Sequence, residues 1–275
     1  MKNTRNKSSV IGPKMELKEV QAKSIGLVLS GGGVRGMAHI GMLKAFEAYE
    51  INASIISGTS IGALVGALYA NGNSIEEMLS FFKNTPLFKY SFFTIQKPGL
   101  IDTERFFPIF KTYFPENSFE ALQRKLYVVT TNLQKGEAEV FSEGELIKPL
   151  LASTALPPIY SPVTLYNGLH ADGGIMNNFP IEDLKKKVNY VIGSNVSIIK
   201  EEPKSAIRTS LQLTNRITGL MIYASSKKKL KKCDLIFEPQ EVETIGMLDK
   251  KGIEKAFTIG YDHAMRVLSA TFSKV

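Results

Sequence analysis

The sequence predicts an α/β domain in which a mostly parallel central sheet carries helices on both faces. Strand-like and helix-like segments alternate along the chain, and the first hundred residues follow the order strand, glycine-rich turn, helix, strand, tight turn, helix. No internal repeat or low-complexity segment interrupts this order. With 275 residues, 44% of them hydrophobic, the chain is long enough for one large core. We therefore expect a single three-layer α/β/α domain over residues 24–275.

The first two strand–helix units carry the most distinctive turns. Ser24–Leu29 is a short apolar segment typical of a buried strand, and it runs into the glycine cluster Gly31–Gly33. Met37–Glu50 then shows the apolar spacing of a helix. Ile51–Ser57 predicts a second strand, and the small, apolar stretch Ile61–Ala70 predicts a second helix. In a parallel arrangement the turns after both strands open at the same edge of the sheet.

Residues 81–119 differ from the rest of the chain in their aromatic content. They contain twelve of the twenty-six aromatic side chains and are interrupted by prolines that include Pro86, Pro98 and Pro108. Such a density suits an apolar pocket or a mobile lid, and it suits a packed helical subdomain equally well. We treat the stretch as an aromatic-rich insertion in the single domain. Its aromatic residues include Phe88, Tyr90, Phe92, Phe93, Phe106, Phe107 and Phe110.

The second half continues the alternation of strands and helices. The predicted strands are Lys125–Thr131, Tyr190–Val196 and Asp234–Phe237, and the predicted helices are Glu145–Ala152 and about Lys250–Ser273. Between the last two strands we predict a long amphipathic helix with lysines at its end, where cations suit the helix dipole. Its apolar face carries Leu213, Ile217, Leu220, Met221 and Ala224.

The cysteine content and the N-terminus indicate a cytoplasmic location. Cys233 is the only cysteine, so neither an intramolecular disulfide nor a cysteine-rich metal site can form from this chain. Residues 1–23 are polar and basic without the apolar core of a signal peptide, and we expect them to be a flexible segment. The longest apolar run, Ile61–Ala70, is too short to cross a bilayer.

The net charge of +8 leaves two kinds of surface contact open. Lysines cluster at Lys185–Lys187, at Lys227–Lys229 and at Lys231 and Lys232. Such clusters suit peripheral contact with an anionic membrane surface, and they are equally well explained as solvated helix ends. No nucleic-acid-binding motif with interleaved aromatic residues accompanies them, so we predict no nucleic-acid partner. The sequence does not predict an oligomeric state.

Gly58–Gly62, read GTSIG, has the pattern of a nucleophile elbow. It stands where a strand-like run gives way to a helix, so Ser60 would sit on a tight turn with its hydroxyl exposed. Gly58 and Gly62 keep neighbouring side chains away from this turn, and the following helix directs its positive end at Ser60. An ordinary strand-to-helix turn with incidental glycines is the alternative.

Gly31–Gly36, read GGGVRG, offers backbone N–H groups to an anion at the start of a helix. One candidate anion is a dinucleotide pyrophosphate, since the glycine spacing satisfies GxGxxG. That site also requires an acidic residue after the second strand, where this chain has Ser57 and Gly58. The other candidate is the oxyanion of acyl transfer at Ser60. Arg35 would either steady the loop or attract an anionic head group.

A serine nucleophile requires a base, and the sequence offers several. His39 and His263 fall in predicted helices, where histidines are more often structural than catalytic. His170 and Asp172 would share one face of an extended segment, and Asp172, which adjoins the turn Gly173–Gly174, is better placed to reach the active edge. Taken alone, an aspartate before two glycines is most often a simple turn.

Together, GGGVRG, GTSIG and the downstream Asp-Gly-Gly resemble the patatin-like phospholipase family. The resemblance covers about Ile25–Pro180 and includes Ala152–Val163, read ASTALPPIYSPV. It implies a patatin-like α/β/α fold and hydrolysis of phospholipid or other fatty acyl esters without cofactor or metal. It further implies that Ser60 is the nucleophile and Asp172 the base, without histidine. The implied oxyanion donors lie among Gly31, Gly32, Gly33, Val34, Arg35 and Gly36.

A free aspartate is a weak base, because its pKa is about 3.9. We therefore expect Asp172 to be buried, which would raise its pKa, and to lie within hydrogen-bonding distance of Ser60. Two alternatives remain. An acyltransferase would use the same acyl-enzyme, with His170 or His263 as partner in a malonyl-transferase-like version. A lipid-binding protein would keep the pocket without turnover.

Overall fold

The computed structural model describes residues 15–88, 92–166 and 168–273. The strands in these ranges are β1 (Met15–Glu16), β2 (Ile25–Leu29), β3 (Ile55–Thr59), β4 (Lys125–Asn132), β5 (Glu137–Phe141), β6 (Val163–Leu165), β7 (Gly168–Asp172), β8 (Tyr190–Ser194), β9 (Leu235–Phe237) and β10 (Phe272–Ser273). The α-helices are α1 (Leu17–Gln21), α2 (Met37–Ala48), α3 (Ile61–Ala70), α4 (Ile75–Asn84), α5 (Phe107–Tyr113), α6 (Ile147–Ser153), α7 (Gly174–Asn177), α8 (Glu182–Lys185), α9 (Ser210–Leu230) and α10 (Ile253–Thr271).

The central sheet is mixed, with its parallel part at the centre. β2 pairs in parallel with β3 on one side and with β8 on the other, and β3–β4 and β8–β9 are also parallel. β5 and β7 run antiparallel to β4, and β6 runs antiparallel to β7. The sequence predicted the parallel strands near their observed bounds but did not predict β5 or β6.

The register of β4 brings two strand ends together. β3 pairs with β4 from Lys125 to Val129, and β7 pairs with β4 from Thr130 to Asn132. Because β5 occupies one edge of β4 from Val128 onward, β3 and β7 must share the opposite edge. The two strands therefore end head to head beside β4. This arrangement places the turn after β3 next to Asp172, the last residue of β7.

Helices cover both faces of the sheet. On one face α2, α3 and α10 pack around buried residues such as Leu27 and Ile56, and α2 and α10 make extensive contact with each other. On the other face Phe179 and Leu184 pack against Val28 and Val191. Alternate residues of β2 thus contribute to opposite layers, as expected for a strand buried on both sides. The predicted α/β/α layering is confirmed.

The aromatic-rich stretch packs into the main core. Phe81 and Phe82 of α4 are fully buried, and so are Phe106 and Phe110. Edge-to-face contacts connect Phe81 with Phe82 and with Phe110, and the ring centroids of Phe81 and Phe110 are 5.5 Å apart. Of the predicted aromatic residues, Tyr90 and the side chain of Phe88 lie outside the described part of the chain. The packed-subdomain alternative therefore fits most of this stretch better than the mobile lid.

Residues upstream of the predicted boundary at residue 24 also pack against the rest of the chain. β1 pairs with β10, in register Met15 to Phe272, and Val20 of α1 is fully buried in the main core. Residues from 15 onward thus belong to the domain, because a short strand and one apolar side chain fix them to its surface. Residues 1–14, the rest of the predicted flexible segment, lie outside the described residues.

Helix α9 begins where a capping box between Thr209 and Gln212 fixes its first turn. Its predicted apolar face does not pack on the sheet, because Leu213, Ile217 and Leu220 are 48%, 47% and 42% exposed. The helix is anchored at its C-terminal end, where Leu230 joins the second core cluster, and Arg216 hydrogen-bonds the carbonyl of Lys200. In the three described ranges, no helix combines the length and apolarity that crossing a membrane requires.

Candidate active site

Ser60 lies on a strained turn between β3 and α3. Its φ is +55°, a positive value that residues other than glycine rarely adopt. The flanking glycines are required by close backbone packing. A Cβ at Gly62 would lie 2.4 Å from the carbonyl oxygen of Leu29, and one at Gly58 would lie 2.6 Å from the backbone of Gly62. The predicted elbow geometry is present.

The elbow is held by a residue that the sequence did not identify. The backbone N–H of Ser60 donates to Ser153 Oγ at 2.9 Å, and Ser153 Oγ donates to the carbonyl of Val129 at 2.6 Å. Ser153 is fully buried at the end of α6 and so connects the elbow to β4. The signal available in the sequence was its place in the segment Ala152–Val163, which the family resemblance already included.

Asp172 lies within direct contact of the elbow serine. Ser60 Oγ donates to Asp172 Oδ2 at 2.6 Å, and the backbone N–H of Gly174 donates to Oδ1 at 2.7 Å. Gly173 permits this turn, since a Cβ there would lie 2.2 Å from the carbonyl oxygen of Val129. Asp172 is only 3% exposed. The expected burial and contact are thus both present.

Burial raises the pKa of Asp172 from 3.8 to about 6. The cause is the loss of water around the carboxylate, which disfavours its charged form. The hydrogen bonds from Ser60 and from the N–H of Gly174 act in the opposite direction and limit the shift. At neutral pH the carboxylate is therefore ionised, and its affinity for a proton exceeds that of a free aspartate.

None of the three histidines hydrogen-bonds Ser60. His170 Nδ1 is 2.9 Å from Thr130 Oγ1, and its ring is buried. His39 Nδ1 is 2.8 Å from Ser194 Oγ, and burial lowers its pKa to about 4. His263 accepts a hydrogen bond from the N–H of Glu238. All three rings therefore have their hydrogen-bond partners away from Ser60.

The glycine loop after β2 approaches other chain segments closely. Gly33 has a φ of +60°, and a Cβ there would lie 2.2 Å from the carbonyl oxygen of Met247. The N–H of Val34 donates to that same oxygen at 2.8 Å, and the N–H of Gly31 donates to the carbonyl of Asn178 at 3.4 Å. Val34, predicted among the oxyanion donors, thus has its N–H occupied. The N–H groups of Gly32 and Gly33 have no acceptor among the described residues.

Arg35 steadies the loop through hydrogen bonds to backbone carbonyls. Its Nε donates to the carbonyl of Ile245 at 2.7 Å, and its Nη2 donates to that of Glu243 at 3.1 Å. A weaker contact from Nη1 reaches the carbonyl of Ile198 at 3.4 Å. The guanidinium therefore ties the glycine loop to two downstream segments. Of the two roles predicted for Arg35, the structure favours the first.

A cavity of about 480 Å³ opens onto Ser60 and Asp172. One part of its wall is apolar and comes from α3, α6 and the aromatic-rich stretch. The opposite part includes charged and polar side chains and one face of α9. The apolar lining includes Leu64, Leu87, Phe106, Leu151, Leu156 and Tyr160, and the polar lining includes Glu202, Gln212, Arg216 and Glu243.

The arrangement brings together a serine, a buried carboxylate and free backbone N–H groups beside a largely apolar cavity. Gly31, Gly32 and Gly33 line the same cavity as Ser60 and Asp172. Within the described ranges, no group of three His, Cys, Asp or Glu side chains is suited to holding a metal ion. Chemically, the site can deprotonate a serine and can donate hydrogen bonds to an oxyanion.

Known proteins share this sequence pattern and fold. Residues 27–185 match the family model described as patatin-like phospholipase. The structure of VipD from Legionella pneumophila aligns over 91% of this chain and 67% of that chain, with a TM-score of 0.56 and 16% identity, which speaks to the fold alone.

Curated relatives include fungal proteins called lysophospholipase NTE1. The one from Pyricularia oryzae is 26% identical over 90% of this chain, and the one from Aspergillus fumigatus is 32% identical over 59% of it. This chain spans only 18% and 11% of the lengths of those two proteins. Since the family model matches more than half of the sequence, the chain belongs to the patatin-like phospholipase family.

Proposed function

We propose that this protein is a serine lipid acyl hydrolase that cleaves fatty acyl esters of phospholipids or lysophospholipids with a Ser60–Asp172 dyad. The observation that carries the proposal is the 2.6 Å hydrogen bond from Ser60 Oγ to a buried carboxylate at the end of an apolar cavity. The strained elbow supports it, because such strain persists mainly where a side chain must be held exposed for chemistry.

In the first step Ser60 Oγ attacks the carbonyl carbon of the ester while its proton passes to Asp172 Oδ2. The π electrons of the carbonyl move to its oxygen, which becomes the oxyanion of a tetrahedral intermediate. This intermediate collapses, the C–O bond to the alcohol breaks, and the leaving alkoxide takes the proton from Asp172. An acyl ester on Ser60 and a free alcohol result.

The oxyanion requires hydrogen-bond donors that are already in place. The N–H groups of Gly32 and Gly33 fit this role, since they border the cavity and lack another acceptor among the described residues. One such donor is typically worth about 3–4 kcal/mol in the transition state. The hydrogen bonds of Arg35 to two downstream carbonyls would keep the loop in position.

In the second step water attacks the acyl-enzyme, and Asp172 again accepts the proton. Collapse of the second intermediate releases the fatty acid and returns the proton to Ser60 Oγ. A base with a pKa of about 6 is stronger than an ordinary aspartate and is still mostly unprotonated at pH 7. Burial of Asp172 therefore supports the role of base in both steps.

The cavity favours a substrate with one long apolar part and one polar part. Its apolar wall from Leu64, Phe106 and Leu151 suits an acyl chain, and Arg216 and Glu202 lie on its polar side. Several relatives are named as lysophospholipases, which supports a lipid ester with a single remaining chain among the candidates.

Two other functions use the same cavity. An acyltransferase would resolve the acyl-enzyme with an alcohol or thiol instead of water. Its histidine-dependent, malonyl-transferase-like version has little support, because His170 and His263 contact Thr130 and Glu238 rather than Ser60. A lipid-binding protein without turnover would need the cavity alone and would leave the strained φ of Ser60 without a role.

Labelling with a fluorophosphonate probe tests the nucleophile. We expect wild-type protein to be labelled and Ser60→Ala to remain unlabelled. Thr218→Ala is the matched control, because Thr218 also lines the cavity with a hydroxyl but stands on α9. Thr218→Ala should be labelled like wild type. Wild type and Thr218→Ala should also release fatty acid from lysophosphatidylcholine, whereas Ser60→Ala should not. Folded wild-type protein that neither reacts with the probe nor hydrolyses an ester panel would refute the proposal.

An added alcohol separates hydrolase from transferase. With a lysophospholipid donor and a primary alcohol acceptor, we expect free fatty acid as the main product. A dominant new ester that depends on Ser60 would show that the acyl-enzyme is resolved by transfer. Binding of lipid without either product would support the non-catalytic alternative.

A further inference from the structure

We propose that the outward face of helix α9 docks this protein on a lipid bilayer with anionic head groups. The inference rests on the proposed function, since a lipid hydrolase must meet its substrate at a membrane surface. The docking face consists of Leu213, Ile217, Leu220, Met221, Ala224, Lys228 and Lys231.

The two sides of α9 face different surroundings. Its inward side contributes Arg216, Gly219 and Ile222 to the cavity wall, at the spacing of one helical face. On its outward side Ile217 and Met221 are 47% and 68% exposed. An apolar side chain that remains exposed in a folded domain marks a contact surface when several lie together.

The spacing of the docking face continues into the lysines. Leu213, Ile217, Leu220 and Ala224 follow intervals of three and four residues, and Lys228 and Lys231 extend the same intervals to the helix end. Both lysines are exposed. The helix therefore presents an apolar stripe that ends in positive charge, which is the composition of helices that lie in a membrane interface.

The neighbouring lysine shows which charges belong to this face. Lys229 Nζ lies 2.8 Å from Glu182 Oε1 and donates to Asn177 Oδ1 at 2.7 Å, so it is turned toward the domain. Neither Lys228 nor Lys231 forms an ion pair with a described carboxylate. Their charges thus remain available to lipid phosphates, each contributing attraction near an anionic surface.

The charge pattern favours a bilayer over a second copy of the chain. From Ser210 to Leu230, α9 contains no Asp or Glu, so two such helices packed together would offer no acidic partner to their lysines. An anionic bilayer supplies both phosphates for Lys228 and Lys231 and an apolar layer for the stripe. The net charge of +8 acts in the same direction.

The docking face lies on the same helix as part of the cavity wall. Because one helix carries both the docking face and part of the cavity wall, docking would bring the cavity to the lipid interface. The short helix α7 packs against α9 and exposes Ile175 and Met176, which are 42% and 44% exposed. These side chains add exposed apolar surface beside α9.

Vesicle flotation with full-length protein tests the surface. All proteins carry Ser60→Ala, so that binding is measured without turnover. We expect binding to vesicles of phosphatidylcholine mixed with phosphatidylserine and much weaker binding to phosphatidylcholine alone. The double variant Lys228→Glu/Lys231→Glu should bind the mixed vesicles at least roughly 30-fold more weakly, since each lysine contributes about fivefold. The matched control is Lys185→Glu/Lys186→Glu, which changes the charge equally in another exposed cluster and should lose far less.

The apolar stripe has its own matched pair. Ile217→Glu/Met221→Glu should weaken binding at least about tenfold, because acidic groups cannot enter the apolar layer. Leu133→Glu/Val140→Glu replaces side chains that are 43% and 41% exposed elsewhere and should leave binding nearly unchanged. Circular dichroism and melting of each variant establish that it is folded.

Three outcomes would overturn the proposal: equal losses in both members of each pair, no binding of the mixed vesicles, or a wild-type dimer that the α9 substitutions dissociate. The last result would assign the face to a second copy. Hydrolysis of a water-soluble short-chain ester, measured with Ser60 intact, keeps the two proposals distinct. If α9 governs vesicle binding but no ester is hydrolysed, the docking surface stands and the proposed function fails.

Discussion

The two walls of the cavity differ in what fixes them. The wall made by the ends of β3 and β7 is locked, because Gly58, Gly62 and Gly173 leave no room for a Cβ and Asp172 is buried. The wall made by α9 meets the cavity on one side and solvent on the other. Leu220 on its outer side is 42% exposed, whereas Leu64 on the opposite wall is 1% exposed.

The locked wall carries the proposed catalytic residues, whereas the α9 wall carries the proposed membrane contact. In the locked wall each substitution disturbs backbone packing or the Ser60–Asp172 hydrogen bond, so residue identity is closely constrained. In α9 the outer residues can change without disturbing a packed neighbour, so this wall is free to adapt to a lipid surface. Substitutions in the two walls should therefore differ in magnitude and in the property that they alter.

The largest effect is expected from Asp172→Asn. Loss of the proposed general base should lower kcat by about 10²–10⁴-fold, or roughly 3–5 kcal/mol of activation free energy. His170→Gln is the matched control two residues earlier on β7, and it should retain kcat within about tenfold, because His170 contacts Thr130 and not Ser60. Steady-state kinetics on a soluble ester decide. Equal losses in the two variants would contradict the dyad.

The pH dependence should follow the raised pKa of Asp172. The rate should rise as pH passes about 6 and level off above it, because only the ionised carboxylate can accept the proton. A pH–rate profile on a soluble ester measures this dependence.

The stability contributed by Asp172 should change with pH in the opposite sense. Between 3.8 and about 6 the unfolded chain releases its proton first, so the contribution of the neutral acid is fully present below 3.8 and is lost as pH rises toward 6.

Asp172→Asn removes the carboxylate whose ionisation destabilises the fold, so the variant should have a higher free energy of unfolding than wild type at pH 8. A shift from 3.8 to about 6 corresponds to about 3 kcal/mol. Urea unfolding at pH 8 and at pH 3.5 measures the difference, which should nearly vanish at the lower pH. A variant that is less stable than wild type at pH 8 would show that the ionised carboxylate stabilises the fold.

Gly62→Ala tests the packing of the locked wall. The added methyl group would lie 2.4 Å from the carbonyl oxygen of Leu29, which belongs to the sheet and cannot move away cheaply. We expect a loss of about 2–3 kcal/mol in unfolding free energy, at the upper part of the range for overpacking. Gly136→Ala controls for the general effect, because nothing lies within 4 Å of a Cβ there, although its φ of +69° adds strain. Equal losses would mean that the contact with Leu29 costs no more than the backbone strain of an alanine at position 136.

The sequence predicted the locked wall well for a physical reason. Close backbone approach leaves glycine as the only residue that fits at positions such as 58 and 62. The glycines of the motif therefore predict the tight turn directly. The direction of β7 is not recorded in this way, because spacing alone does not distinguish a parallel from an antiparallel strand. The turn beside Asp172 suggested that its side chain could reach the active edge, but its pairing with Ser60 was implied by the family resemblance.

The sequence predicted α9 less completely. Helical periodicity shows which residues share a face, and it correctly grouped Leu213, Ile217 and Leu220. It does not show whether that face meets the core or the solvent, and here it meets the solvent. Ser153 was not predicted either, since a single serine in an apolar helix has no periodic signal and its role depends on how α6 lies against β4.

Ser153→Ala should affect the locked wall by a smaller amount. It removes the acceptor for the backbone N–H of Ser60 and the donor to the carbonyl of Val129. We expect a loss of about 1–2 kcal/mol in stability and a slower reaction, because the elbow loses one of its supports. Ser153→Thr keeps the hydroxyl and should restore part of both properties. Full activity in Ser153→Ala would mean that the elbow is held without this bond.

The smallest effect is expected on the outer side of α9. Leu220→Gln replaces a side chain that is 42% exposed, so the free energy of unfolding should change by less than about 0.5 kcal/mol. Hydrolysis of a water-soluble ester should also stay at the wild-type rate, because Gly219 and Ile222, which face the cavity, are untouched. Thermal melting and soluble-ester kinetics measure both. A loss above about 1 kcal/mol would mean that Leu220 is packed against a partner in solution, and the two walls would then be equally constrained.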